Sequence, residues 1–175
     1  MSDLIYDNSG KIIEGTLVRY YEEGKKMSET PYKNGLINGV VVEYYYDGNI
    51  SSKSEYVDGI LNGTTIVYYQ SGIVSEESSY RNGKLNGLKR RFFETGMIAE
   101  EAMYARDVLD GEVKLYNVDG SLREVKYFRK GEEIEEKDVG KVREQLEKEK
   151  AEKAKIEYLT EEEMRRLLYI YWTWQ

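Results

Sequence analysis

The sequence predicts a mainly β protein: an elongated, twisted single antiparallel sheet of repeated β-hairpins, followed by a C-terminal α-helical tail. Two observations predict the sheet. Glycines recur at intervals of 24 residues, and aromatic residues follow them at fixed distances. A third observation predicts the tail, because from about residue 138 the composition changes to Lys, Glu, Ala and Leu and the turn residues stop.

A 24-residue unit repeats five times along most of the chain. The first glycine of the unit occurs at Gly15, Gly39, Gly63, Gly87 and Gly111. An aromatic residue follows five positions later, at Tyr20, Tyr44, Tyr68, Phe92 and Tyr116. Another follows seventeen positions after the glycine, at Tyr32, Tyr56, Tyr80, Tyr104 and Phe128. A fixed period of this length indicates a repeat architecture, and we predict five repeats over residues 15–134.

The unit that starts at Gly39 has the pattern of a β-hairpin. Its first strand is predicted over 40–46, which is rich in β-branched and aromatic residues. Asp47-Gly48 supplies a turn with positive φ, a second strand is predicted over 50–56, and Asp58-Gly59 makes the next turn. Connections this short force neighbouring strands to be antiparallel. Ten such strands at a spacing of ~4.8 Å would form a twisted ribbon roughly 48 Å long.

The two ends of the chain depart from the repeat. Residues 1–14 resemble a partial unit and are predicted to add one strand to the first full repeat, as terminal units of an array commonly do. Residues 135–175 form the predicted helical tail, with one helix over 142–157. A second helix is predicted to begin at Thr160, where Glu163 completes a capping box.

The second predicted helix carries an apolar stripe at helical spacing. The stripe and the aromatic residues next to it are Met164, Leu167, Leu168, Tyr171, Trp172 and Trp174. We expect this surface to pack on the protein's own sheet. The alternatives are the groove of a partner or a second copy of the chain.

The face on which each aromatic column lies depends on the register of the hairpins. If Tyr45 pairs with Ile50, then Tyr45 and Tyr56 share one face, and Tyr44 lies on the other face with Val42. A change of register by one residue would exchange the faces. A single sheet with aromatic rings on both faces must cover at least one of them, and the tail is the candidate cover.

Composition excludes several classes of function. Cysteine and histidine are absent, which removes disulfides, thiolate nucleophiles and zinc sites of the usual ligand types. The net charge is −7, and neither the repeats nor the tail is basic, which argues against nucleic acid as a ligand and gives no indication of membrane contact by bulk charge. We expect no cofactor and no metal. Without a signal peptide or an apolar span of ~20 residues, the sequence predicts a soluble cytoplasmic protein, unless a signal was removed.

Two sets of residues are candidates for binding a partner, and no residue is a catalytic candidate. The first is the aromatic column Tyr20, Tyr44, Tyr68, Phe92 and Tyr116, which could instead hold neighbouring repeats together. The second is a basic cluster that interrupts the apolar pattern of the fourth repeat: Arg81, Lys84, Lys89, Arg90 and Arg91. Within it, Arg90 and Arg91 are the predicted partner-binding residues. The cluster could meet an acidic partner, a phosphate-bearing ligand or a lipid head group, or only balance the charge of nearby glutamates.

The repeat pattern resembles the MORN repeat family (membrane occupation and recognition nexus), in its bacterial variant with a 24-residue unit. Gly39, Tyr44, Gly48, Tyr56 and Gly59 show the pattern, and it recurs in the other four repeats. In the fourth repeat Asp107 stands in place of the closing glycine.

The resemblance implies a non-enzymatic protein-binding module of the kind assigned as YwqK-type antitoxins, whose partner is a toxin. The alternative that it implies is a structural scaffold protein that self-associates or contacts membrane lipid peripherally. The resemblance covers residues 1–131 and implies nothing about the tail.

Overall fold

The structure is a computed structural model and describes residues 4–157. It confirms the predicted fold class: the chain is mainly β, with a single open antiparallel sheet of 13 strands in hairpins and a C-terminal helix. The strands are β1 Ile5–Tyr6, β2 Ile12–Tyr20, β3 Lys26–Lys33, β4 Leu36–Ile37, β5 Gly39–Tyr44, β6 Ile50–Val57, β7 Ile60–Tyr68, β8 Val74–Arg81, β9 Lys84–Phe92, β10 Ile98–Ala105, β11 Val108–Tyr116, β12 Leu122–Arg129 and β13 Glu132–Ile134.

The strands follow one another across the sheet in chain order, apart from β4, which pairs with β3 beside β5. We expected ten strands for the five repeats. The structure has three more because β1 and β13 add one strand at each end and because the chain at Asn38 separates β4 from β5. The extra strand expected from residues 1–14 is β1, which pairs with β2.

Two kinds of turn alternate along the chain and therefore lie on opposite edges of the sheet. Two-residue turns place both central residues at positive φ, as at Asp58 (φ 49°) and Gly59 (φ 80°). This is the hairpin turn whose twist matches that of the flanking strands. We call the edge that carries these turns the short-turn edge. Three-residue turns lie on the other edge, where the amide of Tyr45 donates to the carbonyl of Asn49 at 2.8 Å and that of Gly48 donates to Tyr45 at 2.9 Å.

The first glycine of the unit lies inside a strand at a β-bulge. In the β6–β7 pair, Tyr56 lies opposite Leu61 but Ser54 lies opposite Thr65, so Glu55 faces three residues centred on Gly63. In this pair the second strand begins at Ile60, three residues before the glycine. Bulges of this kind bend a strand and increase its local twist.

The register differs from the expected one at the three-residue turns. Tyr44, and not Tyr45, lies opposite Ile50, and the register shifts by one residue beside this pair. The expected pairing of Tyr45 with Ile50 is wrong, because it allowed for no bulge. Alternation along the strands still places Tyr44 with Val42 on one face and Tyr56 with Val41 on the other.

Most side chains of the sheet are half-buried, as expected for one layer of strands. Within the sheet as described, Ser78 (0% exposed), Ala102 (1%) and Val113 (8%) are the buried side chains. These three lie in one row across the sheet, on the same face as Tyr56 and Tyr80. Small residues therefore occupy the middle of this face, between larger aromatic side chains.

The described chain divides into two compact units after Glu133. The second unit contains helix α1, Glu136–Glu157, which begins six residues before the start that we expected. Its surface is charged, with ion pairs such as Lys148 to Glu144 at 2.8 Å and Lys150 to Glu147 at 3.1 Å. Within residues 4–157, no helix has the length and apolar character needed to cross a membrane. The finer division into residues 1–14, 15–134 and 135–175 stays a prediction.

Candidate functional site

The aromatic column of the first predicted set lies on one face of the sheet, which we call the tyrosine face. The column residues are Tyr20, Tyr44, Tyr68, Phe92 and Tyr116. Tyr20 is 52% exposed, and the others are half-buried. Within the part of the chain described, no ring contact joins members of this column; the ring pair in contact is Tyr21 and Tyr46, with centroids 5.4 Å apart. The column is therefore a row of separate rings.

One row of paired residues crosses the whole tyrosine face at the middle of the strands, and we call it the central row. Its members, each opposite the next, are Val18, Glu29, Val42, Lys53, Ile66, Glu77, Arg90, Glu101, Lys114 and Val125. In the first three repeats an aliphatic residue alternates with a charged one. From Glu77 to Lys114 every member is charged and the sign alternates.

Arg90 is the centre of the charged half of the central row. Its guanidinium donates to Glu101 on one neighbouring strand at 3.0 Å and contacts Glu77 on the other at 3.3 Å. The phenol of Tyr116 donates to the second oxygen of Glu101 at 2.9 Å. The arginine that replaces the aliphatic residue of the earlier repeats therefore has two carboxylate partners in its own sheet.

These contacts shift the pKa values of the groups that make them. The hydrogen bond from Arg90 lowers the pKa of Glu101, and the bond from Tyr116 lowers it further. Hydrogen bonds with Glu101 and Glu77 raise the pKa of Arg90. Burial, together with the charge of Glu101, raises the pKa of Tyr116. At neutral pH the row is therefore a set of charged groups held in fixed pairs.

Two further members of the basic cluster, Lys89 and Arg91, are neutralised by glutamates on the opposite face. Lys89 pairs with Glu76 at 2.9 Å, and the buried Ser78 donates to the same carboxylate at 2.9 Å. Arg91 pairs with Glu100. Lys89, Arg90 and Arg91 each pair with a glutamate of a neighbouring strand. Their contacts therefore fit the alternative in which the basic cluster balances the charge of nearby glutamates. The partner-binding role of Arg90 and Arg91 stays a prediction.

Arg81 and Lys84 lie elsewhere, at the short-turn edge. They are opposite each other at the turn between β8 and β9. With Asn82, Asn86 and Arg106 they line an open pocket of about 700 Å³. Sequence reasoning missed Arg106 because it lies in the next hairpin. The available signal was the dipeptide Arg106-Asp107, which stands where the other turns of this edge end in glycine.

A series of tyrosine hydroxyl groups links consecutive repeats beside the three-residue turns. Tyr21 donates to the carbonyl of Tyr44 at 2.7 Å, Tyr45 donates to Tyr68 at 2.5 Å, and Tyr69 donates to Phe92 at 2.6 Å. We call these three bonds the tyrosine ladder. It stops at the fourth repeat, where Phe93 has no hydroxyl group.

The tail residues that we predicted to pack or to bind a partner lie outside the described residues. They are Met164, Leu167, Leu168, Tyr171, Trp172 and Trp174. Their role stays a prediction.

Comparison with known proteins agrees with the geometry of the hairpins. A comparison with curated proteins gives no match. A family model described as MORN repeat variant matches residues 13–34, 37–58 and 61–82. The match ends at the turn where Arg81 and Lys84 stand, near the point at which the central row becomes fully charged. Three consecutive β-hairpin repeats of this chain, those in which aliphatic and charged residues alternate along the central row, are thus matched as MORN repeats of the variant type.

Proposed function

We propose that the protein is a non-enzymatic protein-binding repeat module, and that it acts in the cytoplasm as the antitoxin or immunity partner of a toxin. MORN repeats are typically modules that bind proteins or membranes, which supports the general part of the proposal. The antitoxin role rests on the resemblance of the 24-residue unit to repeats of that class.

One observation carries the proposal. The first three repeats place aliphatic and aromatic side chains on every second strand of the tyrosine face, with Glu29 and Lys53 of the central row between them. These side chains, which we call the apolar strip, are Val18, Tyr20, Val40, Val42, Tyr44, Ile66 and Tyr68. Tyr20 and Val40 are 52% and 46% exposed. A surface that combines exposed tyrosines with aliphatic residues is typical of protein interfaces.

The test is capture and neutralisation of the partner. The full chain is co-expressed with the product of a neighbouring gene; we expect co-purification and loss of the product's toxicity. A variant with Tyr20→Ala, Tyr44→Ala and Tyr68→Ala should lose both. The matched control replaces Tyr6 and Tyr46 by alanine, because both are exposed and lie outside the strip. Equal capture by the two variants would show that the apolar strip is not part of the interface.

A second candidate is a structural scaffold that self-associates. The specific observation is that the sheet is open, so that β1 and β13 are edge strands within the described sheet, and an edge strand can pair with another chain. Light scattering of the purified chain separates the two: a scaffold forms dimers or filaments alone, whereas the proposed module needs its partner. Sedimentation with anionic vesicles tests the membrane form of this alternative.

A further inference from the structure

The pocket at the short-turn edge lies between two neighbouring hairpin turns. Arg81, Asn82 and Lys84 belong to the turn between β8 and β9, Asn86 follows in β9, and Arg106 belongs to the turn between β10 and β11. Its volume of about 700 Å³ falls in the range of ligand sites, which is roughly 300–1,000 Å³.

The three cations of this pocket have no acidic partner in the part of the chain described. Within the described residues, the ion pairs of the neighbouring cluster involve Lys89, Arg90 or Arg91, and none involves the pocket cations. The carboxylate next in sequence, Asp107, accepts a hydrogen bond from the amide of Leu85 at 2.8 Å. The pocket is therefore a local concentration of positive charge on a chain of net charge −7.

The repeat changes at this pocket in a way that costs stability. Arg81 lies directly opposite Lys84, where the corresponding pairs of the flanking repeats are apolar: Val57 with Ile60, and Ala105 with Val108. Like charges directly opposite each other destabilise a hairpin. A bound anion would offset this repulsion.

The contact between neighbouring turns changes at the same place. Elsewhere on the short-turn edge, the residue after one turn lies against the glycine of the next: Ile60 against Gly83, and Val108 against Gly131. Lys84 and Asp107 occupy these two positions at the pocket. Asp107 has φ 71°, a conformation that strains residues other than glycine. At the pocket, both positions therefore carry a charged residue where the neighbouring repeats have an apolar residue or a glycine.

We propose that this pocket binds an acidic segment of the protein partner, with carboxylates of that segment paired to Arg81, Lys84 and Arg106. The inference rests on the proposed protein-binding function. The planar guanidinium groups of arginine match carboxylates with two parallel hydrogen bonds.

The remaining chemistry of the pocket favours a peptide over other anions. Asn82 and Asn86 carry amide groups that both donate and accept, so they can pair with a peptide backbone, whereas a phosphate needs only donors. The chain's net charge of −7 opposes approach to an extended anionic surface such as a membrane or nucleic acid.

Nuclear magnetic resonance of the full-length, ¹⁵N-labelled chain tests the site with a pentaglutamate peptide as the probe. At 0.15 M salt, where screening acts over about 8 Å, we expect saturable shifts of the Arg81 and Arg106 Nε–H signals and of the Asn82 and Asn86 side-chain amides. The triple variant Arg81→Gln, Lys84→Gln, Arg106→Gln should bind about tenfold more weakly or worse. A control with Arg19→Gln, Lys33→Gln and Arg123→Gln removes the same charge at exposed positions and should bind within about twofold of the wild type.

A second variant keeps the test decisive if the triple variant folds poorly. Lys84→Ile restores the residue that Ile60 provides in the preceding repeat, so it should fold at least as well as the wild type and still bind the peptide more weakly. Equal weakening by the control would show that binding follows net charge, and would overturn the proposal. So would inorganic phosphate, or vesicles of phosphatidylcholine with phosphatidylserine, binding the same signals more tightly than the peptide.

The two experiments distinguish an error in the pocket proposal from an error in the proposed function. If the Arg81/Lys84/Arg106 variant captures and neutralises the partner as well as the wild type, the pocket proposal is wrong and the function stands. If the wild type binds pentaglutamate at these residues but captures no neighbouring gene product, the site stands and the antitoxin function is wrong.

Discussion

At the residue scale, the first glycine of the third and of the fifth repeat is required by a close contact as well as by its backbone conformation. Gly63 has φ 128°, and a Cβ atom placed on it would lie 2.8 Å from the Cβ of Glu55. A Cβ atom placed on Gly111, which lies 48 residues after Gly63, would likewise be 2.8 Å from the Cβ of Met103. The bulge brings the glycine against the side chain of the facing strand, so neither conformation nor space admits another residue.

Gly63→Ala is therefore expected to destabilise the sheet more than Gly72→Ala. Both glycines have positive φ, but a Cβ atom on Gly72 would meet nothing within 4 Å. The control therefore carries only the cost of the backbone conformation, about 1 kcal/mol, and Gly63→Ala should cost roughly 1–3 kcal/mol more through overpacking. Urea unfolding followed by circular dichroism measures both; equal effects would contradict the close contact.

The tyrosine ladder makes a second prediction at this scale. Phe93→Tyr should restore a hydroxyl donor to the carbonyl of Tyr116, because the three bonds of the ladder recur at the repeat spacing. Tyr45→Phe should remove one such bond. We expect changes in the free energy of unfolding of about 0.5–1.5 kcal/mol, of opposite sign.

The control for the ladder is Tyr56→Phe. Its hydroxyl group makes no hydrogen bond within the described chain, so its removal should change stability by less than the ladder variants do. If Phe93→Tyr does not stabilise the protein, the ladder does not continue into the fourth repeat.

At the scale of the element, each hairpin is specified by its turns and each strand by its neighbours across the sheet. The turn dipeptide Asp58-Gly59 has the positive φ values expected of it. The central row is different, because a member such as Arg90 is paired with Glu77 and Glu101 on the strands at either side of its own. The row therefore links residues that are more than ten positions apart in sequence.

The central row predicts how stability depends on pH. Arg90 and Tyr116 hold the pKa of Glu101 below the ordinary value of a glutamate. A carboxylate whose pKa is lower in the folded state contributes stability above its unfolded pKa and loses it as pH falls through the folded pKa. Glu101→Gln should therefore be less stable than the wild type at pH 7, and this difference should shrink as the pH falls below about 4.5.

The measurement is urea unfolding of both proteins between pH 3 and 7. Because Arg90 is partly exposed, we expect a difference of about 1 kcal/mol or less. Glu94→Gln is the control, since Glu94 is exposed in a turn and makes no ion pair within the described residues; its substitution should change the free energy of unfolding less than Glu101→Gln does at pH 7. A difference for Glu101→Gln that grows on acidification would contradict the pairing.

At the scale of the whole molecule, the sheet is a one-dimensional array in which each hairpin contacts its neighbours. The strands follow one another in chain order, and the side chains are mostly half-buried. Stability in such arrays is close to a sum over repeats and their interfaces. The protein should therefore accept the loss of a whole unit but not of part of one.

Deletion of residues 63–86 tests this expectation. It joins Asn62 to Gly87, which is the corresponding glycine one repeat later, so register and turn types are kept. We expect a folded, shorter sheet with a lower free energy of unfolding. Deletion of residues 75–86 removes a single strand and interchanges the edges on which the two kinds of turn lie, so it should not fold cooperatively. Similar unfolding curves for the two deletions would contradict a repeat array.

The sequence predicted the hairpins well but did not predict the partners of the charged residues. Gly48 and Gly59 mark turns because a positive φ is a local demand that glycine meets. The pairing of Tyr44 with Ile50 was missed because the bulge beside it is a property of two strands together. Arg90 was singled out because it breaks the pattern, but its pairing with Glu77 and Glu101 could not be known before the register was known.

The sequence by itself determined the period, the strands, the positions of the turns and the antiparallel order, since these follow from local conformation and alternation along the chain. Only the tertiary structure decided which cations are neutralised and which are not. Lys89, Arg90 and Arg91 face glutamates on neighbouring strands, whereas Arg81 and Lys84 meet Arg106 at the short-turn edge. The reason is physical: electrostatic partners are set by distance in space, and a shift of register by one residue would change every one of them.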